Sequence, residues 1–585
     1  MRSSATAARP PAGPAPFTRG RADRARSRSA GVASLGDGSG GTALPAAARG
    51  TRAAAATATP QPPRQRPDPA SDLACPHYGT CAGCALQHDL ASPPTRAAAA
   101  AWFASHGVPL PAPTPTPPHA WRARARLAVR PPDAPWFDAR PAVGLFAAGT
   151  HVVVNIIGSG VGGGASKAAP ATPANTPCLA HHPRINAAAA AMASAAADLG
   201  TTIYDDAAGG RAPSPAVRKK QAKAAAARAK RAAAAGWENA AVSVDAGARS
   251  PPAPTPGLRY LQLTAVASSP SAALARPPHA DPDALIQAVL VWGGEPAGAG
   301  GAAGPRALAD RLWADHGPGS SSTLFHSISL NFQPHAGNAI LGAVWEAVAG
   351  APDDEAWQVV GGVAVSTPPP AFCQANPAGF GRLLSDAGGL LGASLARTAG
   401  EDTASPPSPI TLADLFAGSG AVGLALAAAG LEGRGIGGGR ALLPPISAVR
   451  AVDVNAAGGP ALAAGAAALA ARWDAPGTPP SFDFVTAPAG AAPAAWLDGA
   501  DAAVADPPRK GLDAGLLQAL TSTPPPSLRA LCYVACHFPS LARDGDALLA
   551  SGHWRLSGGV AHVLFPGADA VEAVAVFERV VVRGV

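Results

Sequence analysis

The pattern of apolar and polar positions changes character near residue 410. Before that point, apolar residues come in short extended runs at Arg124–Arg130, Val143–Ile157, Tyr260–Val266 and Ser327–Asn331, and these read as strands. They are separated by Gly-, Pro-, Ala- and Ser-rich stretches at 158–176, 205–256, 267–280 and 295–306, which read as inserted loops. From Ile410 onward strands alternate with helical stretches. An apolar strand ends in Asp414, a glycine-rich turn follows, and Ala421–Ala429 is a helical Ala/Leu run. Ala448–Asp453, Ala502–Ala505 and Ala530–Ala535 are further strands. Ala561–Phe565 and Val571–Val582 are expected to pair as antiparallel edge strands. The alternation predicts an α/β fold with a doubly wound, mostly parallel sheet. The expected organisation is a disordered segment over 1–70, an α+β domain over 71–380 and the doubly wound domain over 381–585.

Composition changes this picture in one place. The 66 Gly and 64 Pro argue for much loop and low-complexity filler, although a GC-rich coding bias would inflate the same residues. The formal charge of +7 is concentrated at the start, where residues 1–67 carry eleven Arg against Asp23 and Asp37. A dispersed-Arg, acid-poor segment of this kind reads as an organelle transit peptide, with the chloroplast preferred and the mitochondrion as the alternative. A disordered tail binding nucleic acid through its charge is the plainer reading. Arg218–Arg231 carries seven basic residues among alanines and is expected to be a solvated helix. No run of eighteen strongly apolar residues exists, so no membrane span is expected. Seven cysteines are too few for a secreted disulfide framework.

Candidate chemistry begins at Asp414-Leu-Phe-Ala-Gly-Ser-Gly-Ala-Val-Gly423. Glycines between a strand and a helix let main-chain N–H groups approach a ligand at the helix N-terminus. A dinucleotide site has the same geometry. The strand-ending acid favours S-adenosylmethionine, because Asp414 can meet that cofactor's amino-acid end and would repel a pyrophosphate. Phe416, Gly418 and Gly420 belong to the same turn. Asp453, ending the next strand, suits the ribose hydroxyls of an adenosine, with a helix N-cap as the competing reading. Asp506-Pro-Pro-Arg-Lys-Gly511 fixes a rigid turn at the carboxyl edge of the sheet, where ligands bind in such folds.

Four ordered segments carry a resemblance. They are Ala371-Phe-Cys-Gln-Ala-Asn-Pro377, Asp506–Gly511, Tyr533-Val-Ala-Cys-His-Phe-Pro-Ser-Leu-Ala-Arg-Asp544, and Phe565-Pro566 followed by Val571-Glu572. In this order the chain resembles the RNA uracil-5-methyltransferase family across residues 72–581. The resemblance implies methylation of uracil C5 in RNA, with Cys536 adding to C6 as nucleophile and Glu572 accepting the C5 proton. It places Gln374 and Asp506 at the cofactor, Asp506 also holding the uracil edge or the loop presenting Cys536. Cys532 and Cys373 read as packing residues. The family usually has Ser-Cys-Asn-Pro where this chain has Ala535-Cys536-His537-Phe538, and a Thr and a His where it has Ala568 and Ala570.

Cys75, Cys81 and Cys84 form a C-x5-C-x2-C triplet whose thiolates can converge on one centre; a fourth would complete an iron–sulfur cubane or a zinc site. Family members with a [4Fe-4S] cluster use this triplet and a later cysteine, so the resemblance assigns Cys178 as fourth ligand, with zinc as the alternative. Residues 1–70 lack the alternation needed for the small β-barrel that some members carry. The chain is therefore most similar to the cluster-bearing ribosomal RNA branch, and 71–380 is expected to bind RNA. Trp121-Arg-Ala-Arg-Ala-Arg126 alternates Arg along a strand face and can meet phosphates, a half-solvated strand being the plainer reading. A folded RNA must extrude the target base. A transfer RNA substrate is the second reading, and a catalytically weakened RNA-binding assembly factor the third. A monomer is expected.

Overall fold

The computed structural model describes residues 72–131, 140–147, 150, 152–157, 176–205, 255–298, 300–335, 337, 339–350, 355–398, 408–431, 443–473 and 477–580. The chain divides between Gln61 and Pro62, and all described residues belong to the second unit. The expectations for 1–70 and for the basic segment Arg218–Arg231 lie outside the described residues, as do nearly all of 158–176 and 205–256.

Helix α1 (Pro94–Ser105) precedes the first sheet. That sheet has seven strands: β1 (Arg124–Arg130), β2 (Ala142–Phe146), β3 (Val153–Asn155), β4 (Leu258–Val266), β5 (Leu285–Trp292), β6 (Phe325–Phe332) and β7 (Val344–Gly350). Their order is β3-β2-β1-β4-β5-β6-β7, antiparallel throughout except for the β5–β6 pair. Helix α2 (Pro183–Asp198) lays Ile185, Ala188, Ala189, Met192 and Ala196 on one face of the sheet, a helical spacing whose small side chains allow close approach. Helix α3 (Pro270–Ala275) follows β4, and α4 (Pro305–His316) supplies the crossover that a parallel pair requires. A hairpin of β8 (Trp357–Val360) and β9 (Val363–Ser366) then leads into the second half.

The second sheet contains β10 (Ile410–Leu415), β11 (Ile446–Asp453), β12 (Ser481–Thr486), β13 (Ala502–Ala505), β14 (Ala530–Ala535), β15 (Trp554–His562) and β16 (Glu572–Arg579). Its order is β12-β11-β10-β13-β14-β16-β15. The first five of these are parallel, and β16 inserts antiparallel between β14 and β15. Helices α5 (Pro377–Thr398), α6 (Ala421–Leu431) and α7 (Gly458–Ala470) cover one face. The other face is covered by α8 (Pro493–Leu497), α9 (Ala514–Ser522) and α10 (Phe538–Ala550). The doubly wound α/β architecture expected of this region is thus present, with a strand-order reversal between β10 and β13 that opens a crevice at their carboxyl ends. No described helix is long and apolar enough to cross a membrane.

Helix α1 belongs to this second core. Phe103 is fully buried among Tyr533, Trp554 and Phe577, and a Cβ on Gly559 would lie 2.1 Å from its ring. Trp102 donates to Asp546 at 2.8 Å. Val360, Val363 and Val365 of the β8–β9 hairpin pack on the opposite face. The boundary expected at residue 380 falls inside α5, which begins at Pro377.

Several expectations require correction. Val143–Ile157 is a hairpin of β2 and β3, not one strand. The stretch 267–280 is not a loop: Ser269 accepts from the Ala272 amide at 3.1 Å and starts α3. The end of 295–306 is likewise helical from Pro305, after a 3-10 turn at Pro296–Gly298. Of the two C-terminal strands, β15 forms the edge while β16 lies inside the sheet, because its continuous apolar run is buried on both faces.

Candidate active site

The glycine turn after β10 bends through three residues of positive φ: Phe416 (63°), Gly418 (58°) and Gly420 (79°). Gly420 is also forced by contact, since a Cβ there would sit 2.3 Å from the Leu462 Cδ1 atom. Phe416 holds this conformation despite its side chain, at a cost of about 1–3 kcal/mol. Two acids support the turn from behind. Asp414 is buried and accepts the Gly423 amide at 2.9 Å; burial, with Asp506 and Asp453 nearby, pushes its carboxyl up to about 7. Asp453 accepts the Gly418 amide at 3.0 Å and the Asn455 amide at 2.7 Å. The N-cap of α7 is Ala457, so Asp453 is not that helix's cap.

In front of the turn lies a cleft lined by Gln374, Phe416, Gly418 and Asp506 together with Phe372 and Val422. Mostly apolar walls with a few convergent polar groups are usual for a cofactor site. Of the residues singled out from sequence, these four line the cleft, while Asp414, Gly420 and Asp453 shape the turn behind it. Gln374 is delivered by a segment fixed at both ends. Arg124 of β1 donates to the Ala371 carbonyl at 3.1 Å and to the Cys373 sulfur at 2.9 Å. Asn376 caps α5 by accepting the Gly379 amide at 2.9 Å and donates to the Leu564 carbonyl at 2.7 Å. The alternating arginines therefore do not form one solvent-facing stripe. Arg124 is buried, Arg122 stacks on Trp121 at 4.6 Å, and Arg126 alone of the three is exposed, donating to Gln262.

Cys536 leaves the end of β14, half-buried, whereas Cys532 is fully buried in the core. Ala535 pairs with Ala573, which brings Cys536 alongside Glu572, the first residue of β16. Burial first, and then the nearby Glu572 and Asp506, push the Cys536 thiol up to about 11 against the opposing Arg509. Glu572 is 4% exposed, and burial holds its carboxyl well above the usual range, with Asp506 adding to the effect. Asp506 itself is pushed up to about 7 by burial. Thiol and carboxyls thus sit together in a weakly solvated corner beside the cleft.

The loop carrying Asp506 hangs on a residue that sequence reasoning passed over. Asp544 of α10 is fully buried and accepts the Leu512 amide and the Tyr533 hydroxyl, both at 2.9 Å. Arg543 bridges it to the loop, donating to Asp544 at 2.6 Å and to the Lys510 carbonyl at 2.8 Å. Ser540 donates to the Arg509 carbonyl at 2.7 Å and lies 2.9 Å from His537 Nδ1. The last residue of the Tyr533–Asp544 motif is thereby a structural anchor; its place in that motif was the available signal.

Cys75, Cys81, Cys84 and Cys178 lie near enough to influence one another electrostatically. Cys84 senses the other three thiols, Cys75 senses Cys178, and Arg122 lies beside Cys81, Cys84 and Cys178. Main-chain N–H groups point at these sulfurs: His77 and Tyr78 at Cys75, Ala180 and His181 at Cys178, and Gly83 at Cys81 at 3.2 Å. Among the described residues, no group of three or more His, Cys, Asp or Glu has the geometry of a metal site. The cysteine segment is also docked on the loop before Glu572. The Gly567 carbonyl accepts from Ala85 and Leu86 at 2.6 and 2.8 Å, and a Cβ on Gly567 would lie 3.2 Å from the Cys84 sulfur.

No family model matches the chain. It is 25% identical over 508 residues to an uncharacterized RNA methyltransferase of Protochlamydia amoebophila, covering 87% of this chain and 98% of that protein. It is 39% identical over 87 residues to the 23S rRNA (uracil(1939)-C(5))-methyltransferase of Xanthomonas oryzae, covering 15% of this chain and 19% of that one. The chain is thus similar to RNA methyltransferases, one of them a uracil-C5 methyltransferase. A further relative of this kind, an uncharacterized RNA methyltransferase of Thermosynechococcus vestitus, is 29% identical over 252 residues, 42% of this chain and 46% of that protein. Among solved structures, the Pyrococcus abyssi tRNA (uracil-54, C5)-methyltransferase with S-adenosyl-L-homocysteine aligns over 82% of this chain and 81% of that one, at 16% identity and a TM-score of 0.46. The Gln374, Asp506, Cys536 and Glu572 positions singled out from the uracil-5-methyltransferase motifs meet around one corner of the fold.

Proposed function

We propose that the chain methylates carbon 5 of a uracil in RNA, ribosomal RNA being the favoured substrate, with S-adenosylmethionine as methyl donor. The observation that carries this reading is the meeting of Cys536, Glu572 and Asp506 at the carboxyl edge of the sheet, next to the cleft that holds Gln374 and Phe416. The cleft's aromatic walls and polar Gln374 and Asp506 fit a nucleoside-bearing cofactor, which supplies an electrophilic methyl group on a sulfonium.

Uracil C5 is a weak nucleophile. Addition of the Cys536 thiolate to C6 breaks the C5=C6 double bond and leaves the electron pair as an enolate, from which C5 takes the methyl group. Glu572 then removes the C5 proton; the electrons of the C5–H bond re-form the double bond, and the C6–S bond breaks to release the thiolate. Because the Cys536 thiol is held up to about 11, it is protonated at rest and must lose its proton as the substrate arrives. Arg509 is the cation placed to steady the thiolate.

The electrostatically coupled thiols of Cys75, Cys81, Cys84 and Cys178, with N–H groups aimed at several of their sulfurs, support a [4Fe-4S] cluster held by these four residues, with zinc as the competing occupant. Either centre would brace the segment docked on Gly567. The test is incubation of the full chain with methyl-labelled S-adenosylmethionine and unmodified ribosomal and transfer RNA. Label at C5 of a ribosomal uridine is expected, lost in Cys536→Ala, and RNA carrying 5-fluorouracil should be trapped covalently on Cys536. RNA binding without any label would overturn the reading.

A further inference from the structure

Once Glu572 has taken a proton it must give it up before another turnover, and its surroundings are closed. The carboxyl is 4% exposed and has no hydrogen-bond partner among the described residues. The groups facing it from the site are Cys536 at the end of β14 and Asp506 and Arg509 in the loop after β13. Two of these are acids with raised affinity for protons of their own, and Arg509 cannot accept one.

The other side of Glu572 is different. On β15, His562 is paired directly with it across the antiparallel ladder. Directly opposed residues project to the same face with Cβ atoms about 4.5–5.5 Å apart. The face is that of α5, since Val560, Val574 and Val576 pack with Phe380, Leu383 and Ala387. His562 is itself buried, and its Nε2 atom lies 2.8 Å from the Asp386 Oδ2 atom on α5. Its Nδ1 atom makes no hydrogen bond among the described residues. Asp386 reaches water, with half of its side chain exposed. A buried carboxyl, a buried imidazole and a solvated carboxylate therefore stand in series from the reacting corner to the surface.

We propose that His562 and Asp386 are the proton exit of Glu572; this rests on Glu572 being the proton acceptor. The proton taken from C5 passes from the Glu572 carboxyl to Nδ1 of neutral His562, and the Nε2 proton passes to Asp386 and on to water. Glu572 returns to carboxylate and His562 to neutral imidazole with its tautomer exchanged, which ring rotation or reprotonation from water resets. No electron changes hands. His562 touches no substrate and acts as a positioning and relay residue.

The relay matters only between turnovers. Before the first one, the carboxyl has equilibrated with solvent at leisure. RNA tritiated at uracil C5 and mixed with full-length enzyme and S-adenosylmethionine reports loss of the C5 proton directly. His562→Gln preserves a donor to Asp386 but cannot pass a proton, and Asp386→Asn preserves the contact without the base. In acid-quenched samples, where denaturation frees any tritium still held on Glu572, both variants are expected to lose C5 tritium at the wild-type rate in the first turnover and at least about tenfold more slowly in steady state. Imidazole in the buffer should restore the steady-state rate of His562→Gly. Equal loss in both phases would mean a packing role and overturn the relay, as would steady-state rates equal to wild type. If the wild-type protein releases no tritium while it methylates RNA elsewhere, the assignment of Glu572 itself fails, and the relay with it.

Discussion

Replacement of Asp544 by alanine should be among the most damaging single changes in the catalytic half. Its carboxylate is fully buried and serves the Tyr533 hydroxyl and the Leu512 amide at once. Both donors are themselves buried, so each loses its partner with little access to water, at about 1–3 kcal/mol apiece. Arg543 is largely solvated and contributes under about 1 kcal/mol. The sum is about 2–7 kcal/mol, read as a shift of the urea midpoint at unchanged slope. Asp544→Asn keeps the volume and one acceptor and should cost about 1–3 kcal/mol. The mechanism is separable from a general packing defect by a double-mutant cycle. In a Tyr533→Phe background there is no hydroxyl to strand, so Asp544→Ala should cost about 1–3 kcal/mol less. A variant within about 0.5 kcal/mol of wild type, or an additive cycle, would refute the argument.

Other expectations concern charge, backbone and thiols. Asp414 and Asp506 are raised from 3.8 to about 7 in the folded protein. A raised acid contributes stability that is complete below its unfolded value and is lost as pH climbs through the folded one, so the free protein should weaken between about pH 4 and 7. The loss is on the order of 4 kcal/mol for an isolated group, and Asp506→Asn should flatten the urea-midpoint profile over that window. Gly420→Ala meets both a φ of 79° and the Leu462 side chain; it should lose about 1–3 kcal/mol in thermal melts and weaken cofactor binding measured by calorimetry. Cys81→Ser should abolish iron–sulfur absorbance and lower the melting temperature of the full chain, whereas Cys532→Ala should retain both the absorbance and methyl transfer; unaltered spectra in Cys81→Ser would remove the cluster assignment.

The parts of this fold that show in the sequence are those where an apolar run meets sharp punctuation. Strands β1, β13 and β14 have the boundaries read from their residues, each run being bounded by motif or turn residues. Strand β12 carries no such signal, because Ser481–Thr486 is a half-exposed edge with charge and threonine in it. Strand β7 reads as helix-compatible, with Glu346 and alanines on a half-exposed surface. Helix α3 had a legible signal, Ser269 before Pro270, hidden by the small-residue composition around it. At the site, reactive residue types at familiar spacing pointed to Cys536, Glu572 and Asp506. The Arg124 contact with Cys373 and the His562 contact with Asp386 join residues 249 and 176 positions apart, and no local pattern announces them.

The seat of Phe103 has a consequence for how the protein is made. On a translating ribosome, α1 emerges early, but the glycine-floored slot it fills is built from residues 554–579. At roughly 5–20 residues per second, the helix waits about half a minute or longer for its partner strands. Through that interval an apolar ring with no home is available to nascent-chain chaperones. Closure of the catalytic core therefore waits until these late strands have been made.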